Sequence, residues 1–368
     1  MKKIALVIVC LDKLVSSDSL KGGGSHVLQN ILYNWIDNED VCLDIYCTES
    51  SIISYPGINK IVKIPYCQLG NIEKFVEELK KHQETEKYDN ILFGDFISPY
   101  GSVMLQSHSY LHRYNLYGGV LTKVFKKLKN QKLLAQSILF TQENGVYIAM
   151  SETIKRDYSE NFDIPKEKIH VIYPGVSVPD CGLTQNNNET VTFGIVGGSN
   201  LNKGLHRFLG ALSKLIRNKQ KVKAVVICNN YQKQYFIKFL IALYGVSKYV
   251  EILDFQSSMD DFYKRINFLV MPSRHEAFGL VALEAASYGV MPIVSSSTGF
   301  AEIIAENVNG ISFDVAKKAV KNLANAMKKA IDLYYDRRDE YNKVAGNCLC
   351  LAKMHTWKDF SDKILEKL

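Results

Sequence analysis

At 368 residues the chain exceeds what one ordinary hydrophobic core supports, so two domains are expected. With 47% apolar and 23% charged residues, and no long Pro/Gly or single-residue tract, it reads as a globular protein and not a low-complexity one. A net charge of +7 suits an acidic partner such as phosphate or an anionic membrane, and it is too modest to mark a nucleic-acid binder.

The N-terminus, Met1-Lys2-Lys3 followed by an apolar run to Leu11, imitates a signal peptide. The run is short, no A-x-A site follows, and Asp12-Lys13 interrupts it, so a first buried strand is the better expectation. No segment reaches the ~18 consecutive apolar residues that span a bilayer. Eight cysteines occur without C-x-x-C spacing. Cys10 and Cys228 lie in apolar strand-like runs, which predicts reduced, buried thiols in a cytoplasmic protein.

Strand-like runs then alternate with helix-length amphipathic stretches, the pattern of α/β architecture with parallel sheets. In the first half the expected strands are 3–11, 43–47, 90–93, 102–106 and 146–150. Lys21-Gly22-Gly23-Gly24-Ser25-His26 stands between the first strand and an amphipathic helix carrying Val27, Leu28, Ile31, Leu32 and Trp35. Such a turn is a flexible loop or a phosphate cradle. Ser107-His108-Ser109 closes the run 102–106 and places a histidine at a strand end. His108 and His112 have H-x3-H spacing but lack the glutamate of a zinc helix, and no D-x-D occurs, so no metal site is expected. The stretch 121–134 sets Leu121, Val124, Phe125 and Leu128 on one helical face, with lysines 123, 126 and 127 largely on another. It reads equally as an ordinary surface helix and as a peripheral contact with an anionic membrane.

The irregular stretch 178–190, with Pro179 and Asn186-Asn187-Asn188, is the expected linker. The domain expectation is therefore 1–177, a linker at 178–190, a second domain at 191–350, and a C-terminal helix at 351–368 that packs back toward the first domain. The pattern restarts at Val191, with a strand to Val196, Gly197-Gly198, Lys203-Gly204 and a helix over 205–217. Further strands are expected at 223–228, 250–253, 267–271 and 292–295, and a long helical pattern after Asp314. No G-x-G-x-x-G, P-loop or G-x-S-x-G occurs, which removes the dinucleotide oxidoreductase, P-loop and serine-hydrolase readings.

The most informative stretch runs Met271-Pro272-Ser273-Arg274-His275-Glu276-Ala277-Phe278-Gly279-Leu280, then Glu284 among Ala282, Leu283, Ala285 and Ala286. A strand, a polar loop and a helix starting near Gly279 put Glu276 at a strand's carboxyl end. The amides of Phe278, Gly279 and Leu280 open the helix and attract anions. Glu284 sits on a helix built for burial and needs a partner. Spacing alone also allows a capping Glu276 and a solvated Glu284.

This stretch, continued by Gly289-Val290-Met291-Pro292-Ile293-Val294-Ser295, resembles the E-x7-E region of the retaining glycosyltransferase family 4, with Ala277 where a glycine is usual. Thr298-Gly299-Phe300-Ala301-Glu302-Ile303 resembles the segment that follows it there. Ser151-Glu152 and the passage from Ile169 to Val176 are similar to the end of that family's first domain. The resemblance implies the GT-B fold, an α/β pair of Rossmann-like domains facing across a cleft. It implies a nucleotide diphosphate sugar as co-substrate, with no other cofactor, and a glycan, lipid-linked or protein acceptor. Glu276 inherits contact with the donor sugar, Glu284 with the ribose, and Phe278, Gly279 and Leu280 with diphosphate or sugar. Lys203 inherits the diphosphate, Gly23 and Gly24 the phosphate and acceptor border, and His108 the sugar hydroxyls. Gly175 is expected to line the cleft. Gly198 stands where the family carries an arginine, and Arg274 or Arg207 is the expected replacement charge. That departure also supports a second reading, a catalytically silent GT-B scaffold or partner subunit.

Overall fold

Lys2–Cys10 is an apolar run behind two lysines, and it forms strand β1, with every residue from Ile4 to Ile8 fully buried. A strand with no exposed face belongs in the middle of a parallel sheet covered on both sides. The structure, a computed structural model, describes residues 1–15, 23–64, 77–82, 86–94, 101–105, 145–162, 164–180, 189–197, 201–228, 235–254 and 258–368. Around β1 stand β2 (Val41–Glu49), β3 (Lys60–Lys63), β4 (Asn90–Phe93), β5 (Ser102–Leu105), β6 (Tyr147–Ala149) and β7 (Ile169–Val171). Their spatial order is β3-β2-β1-β4-β5-β6-β7, all parallel. After the short α1 (Asp12–Val15), α2 (Gly23–Ile36) buries Val27, Leu28, Ile31, Leu32 and Trp35. Helix α3 (Glu152–Phe162) is capped by Ser151, whose hydroxyl accepts from the Ile154 amide at 3.1 Å.

The second sheet repeats the plan. It contains β8 (Val191–Val196), β9 (Val222–Ile227), β10 (Val250–Leu253), β11 (Phe268–Met271), β12 (Met291–Ser295) and β13 (Ile311–Phe313), in the order β10-β9-β8-β11-β12-β13 and all parallel. Its helices are α4 (Leu205–Arg217), α5 (Tyr235–Leu243), α6 (Asp260–Arg265), α7 (Leu280–Ser287), α8 (Ala319–Asp336) and α9 (Arg338–Lys353). In both sheets the first strand lies between the second and the fourth, counting along that half of the chain. That reversal of order is the topological switch point, where diverging connections leave a crevice beyond the strand carboxyl ends.

The chain divides into two compact units, Met1–Pro174 with Trp357–Leu368, and Gly175–Thr356. The division falls at Pro174, ahead of the expected linker 178–190, because Val176 is held to the second unit. Its amide donates to the His355 carbonyl at 2.9 Å, and it bridges Thr356. The helical pattern after Asp314 is broken at Arg337 and again over Met354–Thr356, giving three helices. The last, α10 (Trp357–Lys367), therefore starts later than the expected 351. Within the first unit Trp357 stands 5.3 Å from the His26 ring of α2, and Lys2 Nζ donates to the Leu365 carbonyl at 2.9 Å.

Strands β3, β7 and β13 carry only two apolar residues each, too few to stand out against neighbouring loops. Cys228 is buried beside β9, whereas Cys10 is half-buried. His108, Gly198 and the stretch 121–134 lie outside the described residues. Among the described residues no helix is long and apolar enough to cross a membrane.

Phe360 is 1% exposed on α10. Phe360→Ala is expected to cost the first unit about 3 kcal/mol or more, read as a lowered urea midpoint for that unit. An unchanged midpoint would show that α10 contributes no packing.

Candidate functional site

Strands β8 and β11 are neighbours at the second sheet's switch point, so the loops leaving their carboxyl ends are brought side by side. The first loop winds through a 3-10 turn, Leu201–Lys203, into Gly204 and α4. The second runs from Pro272 to Gly279 and opens α7. Three contacts join them. The Arg274 amide donates to the Asn202 carbonyl at 3.1 Å, and Asn202 Nδ2 donates to the His275 carbonyl at 3.0 Å. The Arg207 guanidinium, 8% exposed, donates through Nη1 to the Pro272 carbonyl at 3.1 Å.

Gly204 makes this approach sterically feasible. Its φ is +79°, and a Cβ built there would stand 2.3 Å from the Pro272 carbonyl oxygen. No side chain fits between the two loops at that point, and an L-residue would also be strained by the left-handed backbone.

The loop after β12 joins from the other side. Glu276 forms a parallel bridge with Thr298, the Gly299 amide donates to the Glu276 carbonyl at 3.3 Å, and the Phe300 amide donates to the Phe278 carbonyl at 2.7 Å. Thr298 is buried, and its hydroxyl donates to the Ser295 carbonyl at 2.8 Å. Backbone bonds on both sides thus fix the segment carrying Glu276.

The result is a charged pair at the crevice: Lys203 Nζ lies 2.6 Å from Glu276 Oε2. The Lys203 side chain is 32% exposed and that of Glu276 19%, so both remain accessible to a solute. Gly279, at φ +104°, caps α7 beside them, and a Cβ there would meet Met271 Cε at 2.5 Å and Glu276 Cγ at 3.5 Å. The leading amides of α7, like those of any helix, have no acceptor within the helix. A lysine and a helix N-terminus therefore converge beside one carboxylate, which is a setting for an anion.

Glu284 has a different neighbour. Tyr263 of α6 donates its hydroxyl to Glu284 Oε2 at 2.6 Å. The Tyr263 ring stacks on Tyr288 with centroids 5.0 Å apart, and Tyr288 in turn donates to Asp260. Burial first, and then the negative charge of Glu284, hold the Tyr263 phenol well above its ordinary range, so it stays a neutral donor.

The expected site residues divide accordingly. Lys203, Glu276, Arg274, Phe278, Gly279 and Leu280 come together around the loops after β8 and β11. Glu284 lies one helical turn further along α7. Arg207, offered as a replacement charge, is instead committed to the Pro272 carbonyl. Gly23 and Gly24 form the first turn of α2 and not a free loop, beyond the end of β1 in the first unit. Gly175 is buried at the start of the second unit. Asn202, Tyr263 and Thr298 were not expected to act. Asn202 was legible as a polar residue one place before Lys203, but Tyr263 lies 21 residues before Glu284 on another helix and leaves no local spacing signal. Among the described residues no group of three His, Cys, Asp or Glu side chains is placed to hold a metal ion.

Comparison with known proteins bears on the fold and the family. Residues 184–346 match the family of glycosyl transferases group 1. An uncharacterized glycosyltransferase of Methanocaldococcus jannaschii is 30% identical over 192 residues, covering 48% of this chain and 49% of that protein. The chain spans about half the length of the first curated relatives it matches. Among solved structures, the lipopolysaccharide-biosynthesis glycosyltransferase WaaG is similar with a TM-score of 0.73 at 15% identity, covering 98% of each chain. The Anabaena protein HepE, solved with UDP and glucose, is similar with a TM-score of 0.71 at 17% identity, covering 100% of this chain and 99% of that one. The fold is thus that of the GT-B proteins, two Rossmann-like units with parallel sheets.

Two substitutions test the local construction. Gly204→Ala is expected to destabilise the second unit by about 2–4 kcal/mol through backbone strain and overlap with Pro272, read by urea melting. Tyr263→Phe removes the donor to a charged carboxylate and is expected to cost about 1.5 kcal/mol in the same measurement. Wild-type stability in either variant would contradict the corresponding contact.

Proposed function

We propose that this protein is a retaining glycosyltransferase that moves a sugar from a UDP- or GDP-type nucleotide sugar to an acceptor hydroxyl. The observation that carries the reading is the Lys203–Glu276 pair beside the N-terminus of α7, at the switch point of the second sheet. A nucleotide diphosphate sugar offers two features matched to it, an anionic diphosphate and an uncharged polyol. Lys203 and the α7 amides would meet the diphosphate, Glu276 the sugar hydroxyls and Glu284 the ribose diol. The match of residues 184–346 to group 1 glycosyl transferases and the likeness to HepE support this assignment. The likeness to WaaG, a glycosyltransferase involved in lipopolysaccharide biosynthesis, supports an acceptor in cell-surface glycan or glycolipid synthesis.

In this mechanism the bond between the anomeric carbon and the β-phosphate oxygen breaks, and its electron pair stays on the phosphate. The acceptor oxygen bonds to the same face of the anomeric carbon, and its proton passes to the departing phosphate oxygen. Charge growing on that oxygen is met by Lys203 and the helix end, fixed donors that need little reorganisation. No divalent ion is invoked. Donor phosphate would draw Lys203 from Glu276, leaving the carboxylate to accept from sugar hydroxyls.

The alternative, a catalytically silent scaffold, is favoured by Gly198 at the position where the resemblance leads one to expect an arginine. Nucleotide release from a panel of nucleotide sugars separates the two readings. Turnover supports the enzyme; no release, together with no nucleotide-dependent shift in melting temperature, supports the scaffold. Within the enzyme reading, Glu284→Gln is expected to weaken nucleotide binding about tenfold. Glu276→Gln and Lys203→Ala are expected to lower kcat about a hundredfold. Equal and negligible effects would refute the assigned roles.

A further inference from the structure

We propose that the outer face of α5 in the second unit docks on an anionic lipid bilayer. This helix buries Ile237, Leu240 and Ile241, and just beyond it the Ser213 hydroxyl of α4 donates to the Tyr244 carbonyl at 2.8 Å. Its opposite face leaves Tyr235, Phe236, Phe239 and Leu243 exposed at 78, 53, 59 and 63%. At ~100° per residue these four side chains fall within about one third of the helix circumference. Single exposed apolar residues are ordinary, but four large ones on one helical face form a contact surface.

The charge around this face selects the occupant. Between residues 190 and 250 the sequence holds ten lysines and arginines and no aspartate or glutamate, more positive charge than the whole chain's net +7. The basic character of the protein is therefore concentrated in the segment that carries α5. Lys238 stands on the helix itself, its Nζ 5.7 Å from the Tyr235 ring centroid. Lys223, Lys248, Lys264 and Arg265 line one surface depression together with Tyr249 and Glu251, so its lining is net positive. A second copy of this chain would set like charges against each other across such a contact. An anionic bilayer takes both halves of the pattern: rings and Leu243 enter the boundary between headgroups and acyl chains, while lysine ammonium groups stay among the anionic headgroups. None of these residues belongs to the Lys203–Glu276 site, and the docking does not depend on the transfer reaction.

Flotation with vesicles of phosphatidylcholine alone, and of phosphatidylcholine with phosphatidylglycerol, tests the surface on the full chain. The wild type is expected to float with the anionic vesicles only, and to be released as salt rises. Phe236→Ser with Phe239→Ser is expected to reduce the bound fraction at least about tenfold, as is Lys238→Glu with Lys248→Glu. All four positions are exposed, so melting temperatures should stay at the wild-type value and certify the fold. Undiminished flotation of the variants, or no flotation of the wild type, would overturn the proposal. Light scattering supplies the other decisive outcome, because a dimer abolished by the phenylalanine substitutions, without vesicle binding, would make the face a self-association surface.

Discussion

A guanidinium buried against a single carbonyl oxygen holds the functional end of the second unit together. Arg207 reaches from the first turns of α4 to the Pro272 carbonyl, and Gly204 leaves the space that lets the loops meet. In a buried setting such a charge-assisted bond is strong, and leaving it unmade would be costly. Because it ties the connection after β8 to the connection after β11, Lys203 comes within reach of Glu276. The bridge from Glu276 to Thr298 then fixes the same segment from the side of β12. Three consecutive strand ends of one parallel sheet are thereby converted into one rigid surface around a charged pair.

The two glutamates on this surface meet opposite kinds of partner. Glu276 lies against a cation, so its charge is balanced and an incoming anion can compete for Lys203. Glu284 accepts from a tyrosine hydroxyl that burial keeps neutral. In the proposed reaction that difference has a purpose. A carboxylate already accepting one hydroxyl is suited to accept the hydroxyls of a ribose, whereas a releasable lysine is suited to a diphosphate.

Charge in this chain is organised at a larger scale as well. The acid-free segment from 190 to 250 contains both Lys203 and the exposed aromatic face of α5. The same stretch thus supplies a cation to the crevice and a positive surface beyond it. For an enzyme whose acceptor is lipid-linked, docking through α5 would hold the chain where acceptor is concentrated.

Much of this was legible without coordinates. The central strands β8 and β11 are nearly continuous apolar runs, which parallel sheets buried on both faces require, and their positions followed from the sequence to within one residue. Glu276, Lys203 and the start of α7 were recognisable because strand, loop and helix lie consecutively in the chain. The edge strands β3 and β13 were not, since each carries only two apolar residues. Nor was the helix break at Arg337, since its flanks α8 and α9 share one helical pattern. The partners were beyond the reach of local spacing. Arg207 is 65 residues from Pro272, Lys203 is 73 from Glu276 and Tyr263 is 21 from Glu284. By itself the sequence determined which residues stand at strand ends and helix starts, because those are local consequences of pattern and turn chemistry. Only the tertiary structure decided which of those ends touch, because strand order, with β8 between β9 and β11, is set by long-range packing.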